Sequence, residues 1–218
     1  MDSFIRDAQA FLPILLQGAA TTIALAIAAL VIATAFGLIL ALMRYSGNPI
    51  LSLISRVFIN TVRGIPVLVQ LFYIYFVLPE FGIDLSAFQA GAIGLGIAYS
   101  CYMAENFRAG LEAVDRGQRE AAQSIGMGWG LMMRRVILPQ AIRTVLPPYG
   151  NTMIMLLKDT SQASVITVAE MTFQGKVLAA STFQNMTVYT LVAGLYLCLS
   201  VPLLILAWWL ERKFGKND

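Results

Sequence analysis

The chain has 218 residues, of which 58% are hydrophobic and only 12% are charged, and its formal net charge is +3. A soluble domain carries about 25% charged residues, so this composition excludes that class and indicates an integral membrane protein. The sequence contains no histidine, which excludes a zinc site of the usual histidine type, and no Gly-x-Ser-x-Gly turn of a hydrolase.

Five stretches with few or no charged residues are candidates for helices that span the membrane. Such a helix needs about 20 mostly apolar residues. The second stretch is short, and the fourth is long enough only if it includes Arg143, whose side chain can extend to the lipid headgroups. These stretches predict an all-α integral membrane protein with about five transmembrane helices in a single domain, residues 1–218. The predicted spans are 12–43, 64–79, 85–105, 137–158 and 186–210.

A cleaved signal peptide is the alternative interpretation of the first apolar stretch. Signal peptides begin with a basic segment, whereas here Asp2 and Asp7 flank the single basic residue Arg6. The apolar stretch is also longer than the apolar region of a signal peptide. We therefore expect a transmembrane helix at this position.

The distribution of basic residues predicts the orientation of the chain. Twelve of the 15 lysine and arginine residues lie in segments 44–63 and 105–143 or at the C-terminus. Basic residues near the ends of spans concentrate on the cytoplasmic side. These segments and the C-terminus are therefore predicted to be cytoplasmic, with the N-terminus outside.

Small residues recur every four positions in two of the predicted helices. Within lipid no hydrophobic effect drives helices together, so stripes of small residues favour association by allowing close backbone contact. The pattern predicts close packing either inside one subunit or between two subunits. The stripes are Ala29, Ala33, Gly37 and Ala41 in the first helix, and Ala92, Gly96, Ser100 and Ala104 in the third.

A polar segment, residues 112–136, interrupts the apolar pattern between the third and fourth predicted spans. Good helix formers predict a short helix over residues 118–125, and a second short helix is expected over 131–136. Glycines between them predict a turn. A long ordered loop is usually functional, whereas a solvated amphipathic connection is the alternative interpretation. The turn glycines are Gly126, Gly128 and Gly130.

The residues of this segment carry a resemblance to a known family. Glu120-Ala121-Ala122, three residues, Gly126, nine residues and then Val136-Ile137-Leu138-Pro139 resembles the EAA loop of membrane subunits of binding-protein-dependent ABC importers. Four segments resemble the polar amino-acid uptake branch of that family. They are VRGIPVLVQLFYIYFVLP (62–79), RGQREAAQSIGM (116–127), ILPQAIRTVLPPYGN (137–151) and LLKDTSQASVI (156–166). The family pattern more often has Ile at Val136, Thr at Ile65 and an apolar residue at Gln162.

The resemblance implies a type I ABC importer permease fold in the bacterial cytoplasmic membrane, with residues 112–136 as a coupling loop. In the family this loop contains a coupling helix that docks on a cytoplasmic ATPase. The residues implied in coupling are Gly117, Glu120, Ala121, Ala122, Gly126 and Pro139. The two adjacent alanines would offer a slim surface that another protein can approach closely.

The implied partners are an ATPase dimer, an extracytoplasmic solute-binding protein, the lipid bilayer and a second permease subunit, either identical or a sister chain. The chain lacks the Gly-x-x-x-x-Gly-Lys-Ser/Thr phosphate-binding loop. ATP and magnesium are therefore expected on the partner ATPase, with no cofactor on this chain, which is a transporter subunit and not an enzyme. No nucleic-acid partner is expected.

Ionisable and polar residues at the ends of the spans are candidates for the solute path. Ionisable groups close to a helix bundle often line such a path, but they also anchor helix ends or pair locally. A proton-coupled carrier or a channel is the competing interpretation, and it would normally require ionisable residues within the bilayer core. Residues 159–185, rich in Ser, Thr and Gln, are predicted to form a re-entrant or gate segment. The candidate path residues are Glu105, Lys158, Asp159, Thr160 and Ser161.

Overall fold

The computed structural model describes residues 2–214, and the main elements of this part are helices. The α-helices are α1 Asp2–Tyr45, α2 Pro49–Gly64, α3 Val67–Phe72, α4 Ala87–Glu112, α5 Arg116–Ser124, α6 Trp129–Met132, α7 Leu138–Asp159, α8 Met171–Thr182 and α9 Asn185–Phe214. A π-helical turn and a 3-10 turn extend α3 through Tyr73–Val77 and Leu78–Phe81. A second π-helical turn, Met133–Ile137, joins α6 to α7, and a 3-10 segment, Thr160–Ile166, follows α7.

Two of the described helices are long and apolar enough to cross a membrane by themselves. They are the segment Arg6–Tyr45 of α1 and the whole of α9. The segments Pro49–Gly64 and Val67–Phe81 together provide a third candidate, bent by 98° at the short break between them. The predicted spans 85–105 and 137–158 coincide with α4 and α7, which are less apolar.

Helix α2 occupies most of residues 44–63, which we predicted to be a loop between two spans, and the prediction of a loop was wrong, whereas its cytoplasmic location stays a prediction. The helix packs along the end of α1, where the buried Ser55 hydroxyl donates to the Leu40 carbonyl oxygen at 2.9 Å. Its apolar residues are interrupted by Arg56 and Arg63, both exposed, so a search for uncharged stretches does not detect it. The count of basic residues from which we predicted the orientation therefore included two arginines that lie in a helix and not in a loop.

Close contact between α1 and α4 forms the centre of the bundle. All eight small residues of the two predicted stripes are buried. A Cβ atom added to Gly37 would lie 2.8 Å from the Ser100 carbonyl oxygen, and one added to Gly96 would lie 2.6 Å from an Ile32 methyl carbon. The interpretation that these stripes pack inside one subunit is thus confirmed.

Helix α8, in the segment after α7, packs against both α1 and α9. The fully buried Glu170 carboxylate accepts hydrogen bonds from the Thr172 and Phe173 amides, at 2.8 and 2.7 Å, and from the Tyr196 hydroxyl of α9 at 2.8 Å. The backbone amide of Met171, at the start of α8, donates to the Thr22 hydroxyl oxygen of α1 at 3.2 Å. The polar segment 159–185 is therefore an ordered, packed part of the subunit, and its action as a gate stays a prediction.

Candidate coupling loop and solute path

A helix, a bend and a second helix form the loop that we predicted over residues 112–136. The Asp115 carboxylate caps the start of α5 by accepting from the Gly117 amide at 2.7 Å. Gly126 ends the helix with φ +77°, a left-handed conformation that glycine adopts without strain. The Met127 amide closes this end by donating to the Ala122 carbonyl oxygen at 3.0 Å. The bend thus depends on glycine at position 126.

Ala122 and Ala121 point in different directions, which changes the interpretation of the adjacent alanines. Ala122 is 5% exposed and belongs to the apolar cluster beneath the loop, whereas Ala121 is exposed. The expectation that both alanines present a slim outer surface is therefore wrong for Ala122, because its small side chain packs inside the loop. The other buried members of this cluster are Leu111, Val114, Met132, Met133, Ile137 and Ala141.

The remaining candidate coupling residues lie on the outside of the loop. The Glu120 carboxylate pairs with Arg116, one turn earlier, at 2.9 Å, and both side chains are largely exposed. Gly117 is exposed in the first turn of α5. Pro139 is exposed in the first turn of α7, where its missing amide hydrogen is tolerated. The Glu120 carboxylate is thus accessible to a partner.

Exposed apolar side chains at the bend form a surface that the sequence analysis did not identify. Ile125 is 78% exposed and Trp129 is 62% exposed, although both lie in the polar part of the chain. Large apolar residues exposed among polar neighbours mark contact sites, and tryptophan is enriched among residues that dominate binding. We call Ile125, Trp129 and the exposed Leu131 the bend surface. The signal was present in the sequence as apolar residues alternating with the turn glycines.

Arg119 connects α5 to two long helices. Its Nη2 atom donates to the Leu111 carbonyl oxygen near the end of α4 at 2.7 Å. Its guanidinium carbon lies 5.2 Å from the centroid of the Tyr45 ring at the end of α1. Arg119 therefore links α5 to the ends of both α1 and α4.

Glu105 lies in an ion-pair network between α1 and α4. Its carboxylate pairs with Arg44 of α1 and accepts from Arg108 Nη2 at 2.8 Å. Arg108 also pairs with Glu112, one turn later. Both basic partners are supplied by this chain, so the geometry favours local pairing over a solute contact for Glu105.

The other path candidates cluster where α7 ends. The Asp159 carboxylate oxygen Oδ2 accepts from the Tyr99 hydroxyl of α4 at 2.8 Å. Thr160 is fully buried, and its hydroxyl donates to the Leu157 carbonyl oxygen at 2.7 Å. Lys158 is exposed and Ser161 is half-buried, and among the side chains that the structure describes no carboxylate lies within 4.0 Å of the Lys158 ammonium. The assignment of these four residues to a solute path stays a prediction.

Comparison with known proteins gives consistent results over nearly the whole chain. The probable amino-acid permease protein YxeN of Bacillus subtilis is 44% identical over 94% of this chain and 92% of its own length. The glutamine transport system permease protein GlnP of Escherichia coli is 36% identical over 93% of both chains. A crystal structure of an amino acid ABC transporter with histidines superposes with a TM-score of 0.88 at 38% identity, covering 96% of this chain and 98% of that chain.

The family profile described as the binding-protein-dependent transport system inner membrane component matches residues 33–216. This match includes the coupling loop and the residues around Asp159, and extends beyond the described residues at its C-terminal end. Proteins of this family are membrane subunits of transporters and not enzymes. The chain therefore belongs to the family of binding-protein-dependent transport system inner membrane components.

Proposed function

We propose that this chain is the membrane-spanning permease subunit of an ATP-driven importer that moves polar amino acids into the cytoplasm. A separate extracytoplasmic binding protein delivers the amino acid, and a cytoplasmic ATPase dimer supplies the energy with its own ATP and magnesium. The names of the relatives support amino acids as the substrate class. The observation that carries the proposal is the coupling loop, an exposed surface supported by its own buried cluster.

The coupling loop transmits motion of the ATPase to the membrane helices. The bend surface inserts into a groove of the ATPase, and the exposed Glu120 carboxylate orients α5 through charge-assisted hydrogen bonds. The buried Ala122 side chain keeps α5 packed on the apolar cluster beneath the loop. The contacts of Arg119 transmit a displacement of α5 to α1 and α4.

The subunit crosses the membrane five times, with its N-terminus outside and its C-terminus in the cytoplasm. Helix α4 needs little apolar surface because most of its length is covered by other helices, and α7 packs against α4 and α9. The bent pair of α2 and α3 provides the second crossing. A reporter inserted into the Gly126–Gly130 bend should give a cytoplasmic signal, whereas one inserted between Glu80 and Ser86 should give an outside signal. Reversed signals would contradict this orientation.

Two permease subunits, either identical or sister chains, enclose the solute path between them. Asp159 and Lys158 provide charges of both signs at one end of this path, and Thr160 and Ser161 continue the polar segment. Glu105 holds α1 and α4 together and does not contact the solute.

The energy source distinguishes this importer from a proton-coupled carrier. Uptake of L-glutamine or L-arginine should be measured in liposomes that contain the permease, its ATPase and the binding protein. We expect uptake to require ATP and magnesium and to persist when the proton and sodium gradients are abolished. Uptake by this chain alone that follows an ion gradient would instead establish a secondary carrier.

A further inference from the structure

An open cavity lies at the turn between α1 and α2, and two arginines line it. Its volume is about 430 Å³, with Arg44 from the end of α1 on one side and Arg56 from α2 on the other. Asn48 and Ser52 add polar groups to the lining, and among the residues that the structure describes no carboxylate belongs to it. Positive charge without an acidic neighbour in the lining suits an anion.

The donor groups of this cavity are available to a ligand. Arg56 is exposed, and no carboxylate among the described side chains lies within 4.0 Å of its guanidinium. Arg44 pairs with Glu105 through its Nη1 atom, which leaves its other two nitrogens. The Asn48 side-chain oxygen accepts from two backbone amides at the start of α2, so its Nδ2 group remains a donor. Because guanidinium groups bind phosphate in bidentate geometry, this set of donors fits a phosphate group.

An exposed apolar stripe runs along α2 beside the cavity. Ile50, Leu53, Ile54 and Val57 recur at the spacing of one helix face, and each is more than half exposed. Leu53 belongs to both surfaces, because it also lines the cavity. A ligand that covers both surfaces has an anionic head joined to apolar chains, which is the chemistry of a phospholipid.

The cavity lies at the border of the first predicted span, which ends at residue 43. The Ser55 hydroxyl of α2 donates to the Leu40 carbonyl oxygen, and the Phe58 and Phe36 rings have centroids 5.7 Å apart. These contacts place the middle of α2 beside the last turns of that span, and the cavity itself beside the span's end. Lipid headgroups meet a spanning helix at this level, where basic pockets between helices hold anionic headgroups.

We infer that this cavity binds the phosphate of an anionic phospholipid, whose acyl chains lie along the apolar stripe of α2. The inference goes beyond the proposed function and takes from it only that the chain spans a membrane. A zwitterionic headgroup is less suitable, because its cation would be repelled by Arg56. The bound lipid holds the end of α1, where Tyr45 contacts Arg119 of the coupling loop.

The experiment measures lipid binding to the complex of permease and ATPase in detergent micelles by native mass spectrometry. The complex is titrated separately with phosphatidylglycerol, phosphatidylcholine and inorganic phosphate. We expect the wild type to bind its first phosphatidylglycerol more tightly than either of the other two. R56Q should weaken this binding by about tenfold, as expected for a lost hydrogen bond to a charged group, while binding of phosphatidylcholine stays within about twofold.

Two further variants of the lining separate charge from space. R56K keeps the positive charge but loses the planar guanidinium, so its affinity for phosphatidylglycerol should lie between those of the wild type and R56Q. S52L fills part of the cavity without changing any charge, so it should also weaken binding of phosphatidylglycerol. Unchanged binding in both R56Q and S52L would overturn the inference.

R63Q is the matched control, because Arg63 lies on the same helix, is also exposed and does not line the cavity. It should bind phosphatidylglycerol as the wild type does, and equal weakening by R63Q and R56Q would overturn the inference. Equal binding of the two lipids by the wild type would also overturn it. Binding of inorganic phosphate as tight as that of phosphatidylglycerol would identify a soluble anion as the ligand instead, and loss of the ATPase from R56Q would identify a protein contact.

Uptake of an amino acid by the wild-type importer is measured in parallel, in liposomes of phosphatidylglycerol and phosphatidylcholine. A wild type that binds phosphatidylglycerol selectively but shows no ATP-driven uptake would contradict the proposed function and leave the lipid site in place. ATP-driven uptake without selective binding would do the reverse.

Discussion

Replacing Trp129 with glutamate should abolish uptake while leaving the subunit folded. The Trp129 side chain is 62% exposed at the bend, so the substitution removes little internal packing. Exposed positions usually change the free energy of unfolding by less than about 0.5 kcal/mol when substituted. Loss of a buried tryptophan contact with the ATPase, in contrast, costs about 2 kcal/mol or more, and the new carboxylate must also be desolvated. The measurements are recovery of the ATPase with the purified permease, uptake in liposomes and the melting temperature.

Ile125→Glu should have the same effect, since Ile125 is the most exposed member of the bend surface. Gln123→Glu is the matched control, because it adds the same charge to an exposed position of α5 without removing an apolar side chain. Normal ATPase recovery and normal uptake in both Trp129→Glu and Ile125→Glu would show that the bend surface does not dock on the ATPase.

Removing the guanidinium of Arg119 should separate ATP hydrolysis from transport. Arg119→Met keeps an unbranched side chain but loses the hydrogen bond to the Leu111 carbonyl oxygen and the contact with the Tyr45 ring. A hydrogen bond from a charged group contributes about 1.5 to 3 kcal/mol, so we expect uptake per ATP hydrolysed to fall by roughly tenfold. The ATPase should still bind, because the bend surface is unchanged.

Arg116→Met is the control for this prediction. Arg116 lies on the same helix, but its side chain is 90% exposed and pairs only with Glu120 at the surface. Exposed ion pairs contribute about 1 kcal/mol or less, so this variant should transport nearly as the wild type does. Equal losses of uptake in the two variants would mean that coupling of ATP hydrolysis to uptake depends on the charge of α5 and not on its link to α1 and α4.

The sequence allowed the long helices and the coupling loop to be predicted because their signals are local. The apolar stretches of α1 and α9 and the glycine at position 126 each leave a pattern within a few residues. Helix α2 was missed because Arg56 and Arg63 divide its apolar residues, and the tolerance of a membrane protein for such arginines depends on the helices around them.

Side-chain direction within the coupling loop could not be predicted from the local pattern. Ala121 and Ala122 are identical and adjacent. Only the way in which α5 packs on the apolar cluster beneath the loop determines that Ala122 is buried. Likewise, the sequence left open whether Glu105 contacts a solute or pairs locally. Its partner Arg44 lies on another helix, 61 residues earlier in the chain.

Helix α4 approaches α1 closely on one side and α7 on another, so the three helices pack as one unit. A Cβ atom added to Gly37 would lie 2.8 Å from the Ser100 carbonyl oxygen of α4, and one added to Gly110 would lie 3.0 Å from the Ala141 carbonyl oxygen of α7. Because α4 is 26 residues long, each degree of tilt about one end displaces the other end by roughly 0.7 Å. If the three helices turn together in the proposed importer, a small rotation at the end of α4 near the coupling loop would widen the proposed solute path at one membrane face and narrow it at the other, without repacking the three helices.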